Sequence, residues 1–390
     1  MDAWTKRKFY DITTTYSGLT YSPDDIRATG TLVLRSSNVK GGEIIDTDNV
    51  YVDARVINCE NVLPDDVIVV VRNGSRELIG KHALVRQPMP DTVIGAFMTG
   101  LRGNGAFAHA LLDTDQFGAE IKKSLGATIN QITGRDFSMM VFGAPGSGEM
   151  SRIGEFFRAL DALIAANQRK ANLLQQLKRA YLQELFPAPK RAVPRLRFPG
   201  FTDAWEQRKL GDIADIVGGG TPSTDVGSYW DGEVDWYAPA EIGKQIYVTG
   251  SQKQITELGL QESSAKMLPV GTVLFTSRAG IGNTAILGKT GATNQGFQSI
   301  VPHESDLDSY FIFSRTHELK RYGEIMGAGS TFVEVSGKQM AQMPLLMPSM
   351  PEQQQVGRFF EFLDHLIALH QRKCDLLDEL KRGYLQKMFV

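Results

Sequence analysis

The 390-residue sequence has two cysteines, Cys59 and Cys374, which stand far apart in the chain. Their separation matches no metal-ligand spacing, and such sparse cysteine usage is typical of proteins from a reducing compartment. No apolar run approaches the roughly 18 residues that a membrane-spanning helix needs, and no signal-peptide pattern opens the chain. We therefore expect a cytoplasmic location and no membrane partner.

The sequence also lacks the common motifs of catalysis and nucleotide binding. Its six histidines form no HExxH motif and no ligand-spaced cluster, so no metal site is predicted. No Gly-x-Ser-x-Gly motif is present. GNTAILGKT (282–290) has one residue too many for a phosphate loop, and GGGTPST (218–224) lacks the spacing of a dinucleotide fingerprint. We predict that the chain is not an enzyme and holds no cofactor of its own.

The overall charge is close to balanced, with 42 basic against 44 acidic residues and a formal net charge of -2. This balance neither favours nor excludes nucleic acid as a partner, because binding depends on how charge is distributed over the surface. The length leaves room for two or three domains.

The dominant feature that is present is an internal repeat. The stretch from Phe156 to Phe186 returns as the stretch from Phe359 to Phe389, at a constant offset of 203 residues and with most positions identical. Neither copy contains proline, and both are rich in residues that lose little side-chain freedom in a helix. Both copies are therefore predicted to be long helices, and the repeat sets the architecture.

Apolar residues recur in each copy with the four-three spacing of a coiled-coil seam. After Phe156 and Phe359, the seam residues are Leu160, Leu163, Asn167, Lys170, Leu174, Leu177 and Tyr181 in the first copy and Leu363, Leu366, His370, Lys373, Leu377, Leu380 and Tyr384 in the second. Both seams are polar in the middle, so an antiparallel pair would match polar centre with polar centre and fix its register. The alternative is that each helix packs separately on its own domain.

The repeat extends beyond the helices. DAW and an Arg-Lys pair open both halves, at Asp2 and at Asp203, and LPDDVIVVVRNG (63–74) matches LPVGTVLFTSRAG (268–280) with one gap. Both of the latter segments predict a buried strand between two turns.

The predicted fold class is α+β, with an internal pseudo-two-fold repeat of a globular domain and a long helix. The predicted order is a mixed domain (1–148), a helix (149–186), a linker (187–202), a second mixed domain (203–350) and a second helix (351–390).

The linker contains four prolines and the most basic stretch of the chain, with Lys190, Arg191, Arg195 and Arg197. The prolines exclude a helix and favour an extended connector. The charges fit either a solvated linker or a segment that faces phosphate.

Two variable domains, each followed by a nearly identical long helix, resemble the specificity subunit of type I restriction-modification enzymes (HsdS). The motifs that carry the resemblance are DAWEQRKLGDI (203–213), GGGTPSTDVGSYWDG (218–232), LKRAYLQELF (177–186) and LKRGYLQKMF (380–389). The resemblance covers essentially the whole chain.

The resemblance implies that each domain is a target recognition domain that reads one half of an asymmetric bipartite site in double-stranded DNA. It implies that the paired helices set the spacing of the half-sites and dock two modification (methyltransferase) subunits. Two restriction subunits are further partners that it allows. S-adenosylmethionine, ATP and Mg would then belong to those partner subunits, which methylate adenine at N6 and cleave DNA. A coiled-coil adaptor without sequence-specific DNA binding is the alternative, and a DNA-modifying enzyme acting alone is a second rival.

Polar clusters at the ends of strand-like runs are the candidates for DNA contact, because Arg, Asn, Gln and hydroxyl side chains read base edges and phosphates. In the first domain they are Arg35, Ser36, Ser37, Asn38, Arg72, Asn73, Ser75, Thr128 and Asn130. In the second they are Thr221, Ser223, Ser277, Arg278, Asn294, Gln295, Ser330 and Thr331.

Alternatives remain for several of these positions. Arg72 and Arg278 occupy equivalent places and fit either a phosphate clamp or a structural ion pair. The Gly-Ala/Ser-Thr turns at 126–128 and 329–331 fit plain turns equally well. Tyr229 and Trp230 fit a core as well as a DNA-facing surface. Residues that differ between the two halves are expected to set the sequence that is read.

Overall fold

A computed structural model describes residues 4–125, 130–188, 191–278, 280–328 and 334–389. The chain forms two compact units, Met1–Arg169 with His370–Val390 and Lys170–Leu369. Each unit combines β-sheets with helices, so the α+β class is confirmed.

The first unit contains twelve strands, three complete helices and parts of two long helices among its described residues. The strands β1–β12 are Thr5–Lys8, Thr14–Ser17, Ile26–Arg27, Thr31–Leu34, Val39–Lys40, Glu43–Ile44, Val50–Val52, Val67–Val70, His82–Leu84, Thr92–Ile94, Met98–Arg102 and Val141–Ala144. The helices α1–α4 are Gly105–Leu112, Asp115–Ser124, Gly134–Met139 and Ser147–Glu184.

The central sheet of this unit has the order β2-β11-β8-β9 and is antiparallel. Its strand β8 is a run of valine and isoleucine with every residue buried, and successive side chains serve opposite faces. Val67 and Val69 pack with Phe107, while Ile68 and Val70 join the core on the other side. A second sheet has the order β10-β4-β7-β3, in which β10 and β4 are parallel.

The second unit contains ten strands, four complete helices and the remaining parts of the two long helices among its described residues. The strands β13–β22 are Glu206–Lys209, Ala214–Gly218, Trp230–Tyr237, Tyr247–Val248, Lys253–Ile255, Val273–Phe275, Thr284–Leu287, Ala292–Thr293, Gln298–Pro302 and Pro344–Met347. The helices α5–α9 are Glu257–Gln261, Ser309–Ser314, Thr316–Gly327, Gly337–Ala341 and Met350–Met388.

The sheets of the second unit repeat those of the first. The order β14-β21-β18-β19-β16 contains the counterpart of β2-β11-β8-β9, and the three-stranded sheet β17-β15-β20 has a parallel pair, β15 and β20, where the first unit has β4 and β10. The two-stranded antiparallel sheets β1 with β12 and β13 with β22 also correspond. The two halves therefore share a fold although most of their domain sequence differs.

The two long helices, α4 and α9, run antiparallel in both units. In the first unit Phe156 packs edge-on against Tyr384, and in the second Tyr181 packs in the same way against Phe359. The two contacts are equivalent in the repeat, because Phe156 corresponds to Phe359 and Tyr181 to Tyr384. Each helix begins and ends within a few residues of the predicted bounds.

The predicted seam agrees with the inward face of the helices at Leu160, Asn167, Leu174, Tyr181, Leu363, His370 and Leu377, and most of the other predicted positions are exposed. Inward positions that are buried or half-buried are Leu160, Ile164, Asn167, Ala171, Leu174, Lys178 and Tyr181 in α4 and Leu363, Ile367, His370, Cys374, Leu377 and Lys381 in α9. The predicted seam residues that are exposed instead are Phe156, Leu163, Lys170, Leu177, Lys373, Leu380 and Tyr384. Leu366 is half-buried.

The physical reason is that two different four-three patterns of inward residues pass through the same positions at every seventh residue, such as Leu160, Asn167, Leu174 and Tyr181. The pattern that faces the partner helix contains small and charged residues between these shared positions. Ala171 and Cys374 let the helix backbones approach closely. The ammonium of Lys178 lies 2.6 Å from Asp364, and that of Lys381 lies 2.8 Å from Asp161, so both inward charges are paired. The leucines of the other pattern are left on the surface.

The linker is tied down at one of its arginines. The guanidinium of Arg197 makes two hydrogen bonds of 2.7 Å to the carboxylate of Glu352 in the first turn of α9, where both groups are almost inaccessible. Arg195 pairs with Glu184 at 3.3 Å. The expectation of a solvated or phosphate-facing Arg197 is therefore wrong, since its charge is used within the unit. Among the described residues, no helix combines the length and the hydropathy needed to cross a membrane.

Candidate nucleic-acid interface

Three loops of the first unit meet at the end of β8. The backbone N–H groups of Val71 and Arg72 both donate to the carbonyl of Phe97, at 3.0 and 3.2 Å. The amide of Asn73 donates to the hydroxyl of Ser36 at 3.3 Å. The structure therefore brings together residues 35–38 and 72–75, which the sequence predicted separately.

An aromatic side chain that sequence reasoning missed lies at the centre of this surface. Phe97 is 55% exposed, and the guanidinium of Arg72 lies over its ring, 5.0 Å from the centroid. Because its own carbonyl is held by two backbone donors, the ring is fixed in an exposed position. A cavity of about 640 Å³ beside it is lined by Tyr21, Arg35, Ser36, Ser37 and Phe97, among others. An exposed aromatic residue within a polar cluster was the available signal.

Two residues of the predicted first cluster have structural roles. Asn38 is fully buried, accepts a hydrogen bond from the backbone N–H of Arg35 at 2.9 Å, and donates to Thr47 and Asn49. The guanidinium of Arg35 donates to Asp48 at 2.6 Å. Asn38 therefore stabilises the turn and is not placed for base contact, whereas Ser36 and Ser37 retain access to solvent.

The loop after β8 is braced by a second asparagine. The side chain of Asn130 donates to the carbonyl of Gly74 at 3.2 Å and accepts from Arg76 at 2.7 Å. Asn73 accepts from the backbone N–H of Ser75 at 3.0 Å. These bonds give the exposed loop a defined shape. Thr128 lies outside the described residues.

The corresponding loops of the second unit also converge. The hydroxyl of Thr221 donates to the side-chain oxygen of Gln295. The backbone N–H of Ser277 donates to the carbonyl of Gly296 at 2.8 Å, and Asn294 accepts from the N–H of Gly296 at 2.8 Å. Thr221, Asn294, Gln295, Ser277 and Arg278 are thus neighbours.

The solvent exposure of the predicted residues in the second unit indicates which of them could contact DNA. Gln295 and Ser223 are exposed, and Arg278 is half-buried with no side-chain partner among the described residues. Ser277 is fully buried, so its predicted contact with DNA is not supported and its place is in the strand end. Ser330 and Thr331 lie outside the described residues.

Trp230 belongs to the core of the second unit. Its ring packs edge-on against Trp236 with centroids 5.2 Å apart, and its indole N–H donates to the carbonyl of Ser223 at 3.0 Å. The core reading of this residue is therefore confirmed. Through Trp230 the loop that carries Ser223 is fastened to the sheet.

A buried carboxylate fixes the sheet that carries the second surface. Asp235 is inaccessible in β15 and receives the ammonium of Lys289 at 2.8 Å and the backbone N–H of Ser251 at 3.1 Å. Burial opposes the charged form, but these partners overcome it and lower the pKa of Asp235 below its ordinary value.

The turns that follow the parallel strands β10 and β20 are equivalent. In the first unit the backbone N–H of Val71, just after β8, donates to the carbonyl of Phe97. In the second unit the backbone N–H of Ser277, just after β18, donates to the carbonyl of Gly296. The residue before it is Ala96 in one case and the exposed Gln295 in the other. Equivalent turns therefore present an aromatic ring in one unit and an amide in the other.

The two units therefore present polar surfaces of the same construction with different side chains. Residues 202–379 match the family model of the type I restriction modification DNA specificity domain. The chain is 32% identical over 189 residues to the type I restriction enzyme MjaIX specificity subunit of Methanocaldococcus jannaschii, a match that covers 48% of this chain and 44% of that protein. It is 27% identical over 169 residues to the EcoR124I/EcoR124II specificity subunit of Escherichia coli, covering 41% of each chain.

A solved structure covers the whole fold. The type I restriction-modification S subunit from M. genitalium superposes with a TM-score of 0.68 over 100% of this chain and 96% of that chain, at 15% identity. The sequence matches span less than half the length of the two curated relatives. The resemblance to type I specificity subunits is confirmed: residues 202–379 match the family model of the DNA specificity domain, and the chain shares its fold with the solved S subunit.

Proposed function

We propose that this chain is the DNA-specificity subunit of a type I restriction-modification complex, and that each of its two domains reads one part of a bipartite target in double-stranded DNA. The observation that carries the proposal is the pair of equivalent surfaces at the ends of β8 and β18, which present different side chains on the same backbone. A repeated scaffold with differing exposed groups suits a reader of two different half-sites.

Shared and differing residues are assigned different tasks. Arg72 and Arg278 occupy the same place in both units, and a shared guanidinium suits the phosphate backbone, which carries no sequence information. The exposed amide of Gln295 can pair with the two hydrogen-bonding groups of adenine in the major groove. The ring of Phe97 suits an apolar contact, for which the thymine methyl group is the available target.

The long helices are assigned to the partner subunits. Leu163 and Leu380 in the first unit and Leu173, Leu177 and Phe362 in the second are exposed on α4 and α9. Apolar side chains in such number on a paired helix are typical of a surface that another protein covers. We assign this surface to two modification subunits, with restriction subunits as further members of the complex. Methyl transfer with S-adenosylmethionine, and ATP- and Mg-dependent cleavage, are assigned to those subunits.

The experiment is a methylation map. The chain is expressed with a modification subunit of its own system in a host without such systems, and the native DNA is sequenced for N6-methyladenine. One asymmetric bipartite motif that disappears when this chain is omitted is the expected result. A stable complex that leaves the DNA unmethylated would contradict the proposal and favour a protein-binding adaptor.

A further inference from the structure

Three side chains of the first unit converge at a place that the reading of DNA does not use. They are His82 at the start of β9, His109 in α1 and Asp113 just after α1. One ring nitrogen of each histidine and one carboxylate oxygen of Asp113 all lie within 4.8 Å of one another. His109 and Asp113 are four residues apart and so share a helix face, and the two imidazoles pack edge-on at 5.0 Å.

Each imidazole has one nitrogen that faces a carbonyl or carboxylate oxygen and one buried nitrogen without a hydrogen bond, and that second nitrogen of His82 faces Oδ1 of Asp113. Nδ1 of His82 lies 3.0 Å from the carbonyl of Gly80 and donates to it, which leaves Nε2 buried without a hydrogen bond. Nε2 of His109 faces Asp161 at 3.5 Å, and its Nδ1 is buried without a partner. In metal sites the ligating histidines donate their second N–H to a carbonyl or a carboxylate in this way.

The spacing between ligand atoms suits a shared ion. Nε2 of His82 lies 3.2 Å from Oδ1 of Asp113. Zinc binds nitrogen and oxygen at about 2.0–2.2 Å in tetrahedral geometry, which places neighbouring ligand atoms roughly 3.3 Å apart. Three protein ligands leave a fourth position for water. A cavity of about 530 Å³ includes Asp113, Gln116 and Lys381 in its lining, so the cluster meets this cavity at the carboxylate of Asp113.

The charges around the cluster leave room for a cation. Oδ2 of Asp113 accepts from Lys381 at 2.5 Å, so Oδ1 remains available. Lys381 also lies 2.8 Å from Asp161, and Arg86 lies 3.4 Å from Asp161 and 4.0 Å from Glu43. The three carboxylates of Asp113, Asp161 and Glu43 outnumber the two cationic side chains of Lys381 and Arg86. A divalent cation would therefore not enter a site of net positive charge.

The second unit supplies an internal comparison. In the first unit His82 of β9 pairs with Val69 of β8. In the second unit Thr284 of β19 pairs with Phe275 of β18, so Thr284 occupies the place of His82. In the first unit His109 comes two residues after Phe107. In the second unit Phe313 comes two residues after Phe311, so Phe313 occupies the place of His109. The lysine–aspartate pair is kept in both units, but in the second unit Thr284 and Phe313 occupy the places of the two histidines. The repeated fold therefore does not require the histidines.

We propose that His82, His109 and Asp113 bind a divalent transition metal ion of the zinc class, which ties β9 to the end of α1. Imidazole with carboxylate is a donor set that such ions prefer. An ion that binds the folded chain alone also stabilises it by mass action. The ion would therefore stiffen the first unit without taking part in the reading of bases.

The test uses the full chain, stripped with a chelator and dialysed. Zinc bound per chain is measured by elemental analysis, affinity by competition with a chromophoric chelator, and geometry by the visible spectrum of bound cobalt(II). One equivalent of zinc, a tetrahedral cobalt spectrum and a higher Tm with zinc are expected. His82→Thr and His109→Phe, which install the residues of the second unit, should weaken binding at least tenfold.

Asp113→Asn keeps the shape of the side chain and should also weaken binding while the far-ultraviolet circular dichroism stays unchanged. His303→Gln is the matched control, because His303 faces Asp215 at 3.4 Å on the surface of the second unit without a second imidazole. Less than half an equivalent of zinc on the wild-type chain, equal binding by His82→Thr and wild type, or a cobalt spectrum with a thiolate band from cysteine would each overturn the proposal. None of these readouts depends on DNA or on partner subunits.

Discussion

Asn167 and His370 occupy the same position of the internal repeat and contact each other, with the amide oxygen of Asn167 2.8 Å from Nδ1 of His370. The amide nitrogen of Asn167 donates to the carbonyl of Leu163 at 2.8 Å, which assigns the oxygen as the acceptor and the imidazole as the donor. The polar centres of the two seams therefore meet, as the repeat predicted. A buried polar pair of this kind fixes the register of two helices at some cost in stability.

Asn167→Leu should lower the free energy of unfolding, because it leaves the half-buried imidazole of His370 without its acceptor. A loss of about 1 kcal/mol is expected, at the low end of the cost of an unsatisfied polar group. The double variant Asn167→Leu with His370→Leu should recover that loss. Urea unfolding followed by circular dichroism measures both. A double variant no more stable than the single one would show that the pair does not act as a unit.

Phe97→Ala should change the methylated motif in one half only. A lost apolar contact costs about 1–3 kcal/mol for the preferred base pair, so one position should become degenerate while the other half-site is retained. Gln295→Ala should have the reciprocal effect in the other half. Both are read from methylation maps of the assembled complex.

The outcomes of these maps separate two claims. A wild-type complex that methylates no bipartite motif would contradict the proposed function. A clear wild-type motif that neither substitution alters would contradict only the assignment of these two side chains. Leu63→Ala is the control, since Leu63 is an exposed apolar residue of the first unit that precedes β8, at the end of that strand opposite Arg72.

Arg72→Gln and Arg278→Gln should each weaken DNA binding without altering the motif. A phosphate contact contributes equally to all sequences, so each variant should reduce the slope of affinity against salt concentration by about one. Arg55→Gln is the control, because Arg55 is exposed in the first unit but paired with Asp53 at 2.6 Å. Titration of the complex with labelled DNA at several salt concentrations measures the slope. An altered motif would instead assign the arginine to a base.

The helices illustrate how far the sequence predicts the fold. The repeat predicted both helices and the meeting of Asn167 with His370. The inward residues between the correctly predicted seam positions were not predicted. Leu163 and Leu177 are more apolar than Ala171 and Lys178, so the sequence favoured the leucines as the inward residues. Close approach of the backbones and pairing of the lysine with Asp364 decide the pattern, and both are tertiary effects.

The candidate sites were also predicted where local sequence decides the structure and missed where tertiary contacts decide it. Arg72, Asn73 and Ser36 were predicted from strand ends, and the structure brings them together. Asn38 resembled them in sequence, but its burial depends on Thr47 and Asn49, which fold back over it. The cluster of His82 with His109 was missed because 27 residues separate them in the chain. The four-residue spacing of His109 and Asp113 in a helical segment was the signal that was present.

The stability of the second unit should depend on pH through Asp235. Lys289 and Ser251 lower the pKa of this carboxyl in the folded chain. Its stabilising contribution is therefore complete above its unfolded pKa of about 3.9 and is lost as the pH falls through the lower folded value. Asp235→Asn should be less stable than wild type at pH 7, and the difference should shrink below about pH 4. Urea midpoints at pH 7, 5 and 3.5 measure it. A difference that is constant with pH would contradict the assignment.

Glu352→Gln should destabilise the second unit more than Glu149→Gln destabilises the first. The two glutamates are equivalent in the repeat, but Glu352 receives both hydrogen bonds of Arg197 in a buried site, whereas Oε2 of Glu149 is buried without a hydrogen-bond partner in the described part of the chain. Removing one partner of a buried ion pair costs about 3–5 kcal/mol, because the other charge is left uncompensated. Glu149→Gln removes an unpaired charge and should be neutral or stabilising. Thermal unfolding of the two variants gives the comparison, and equal shifts in Tm would show that Arg197 contributes little to holding the linker against α9.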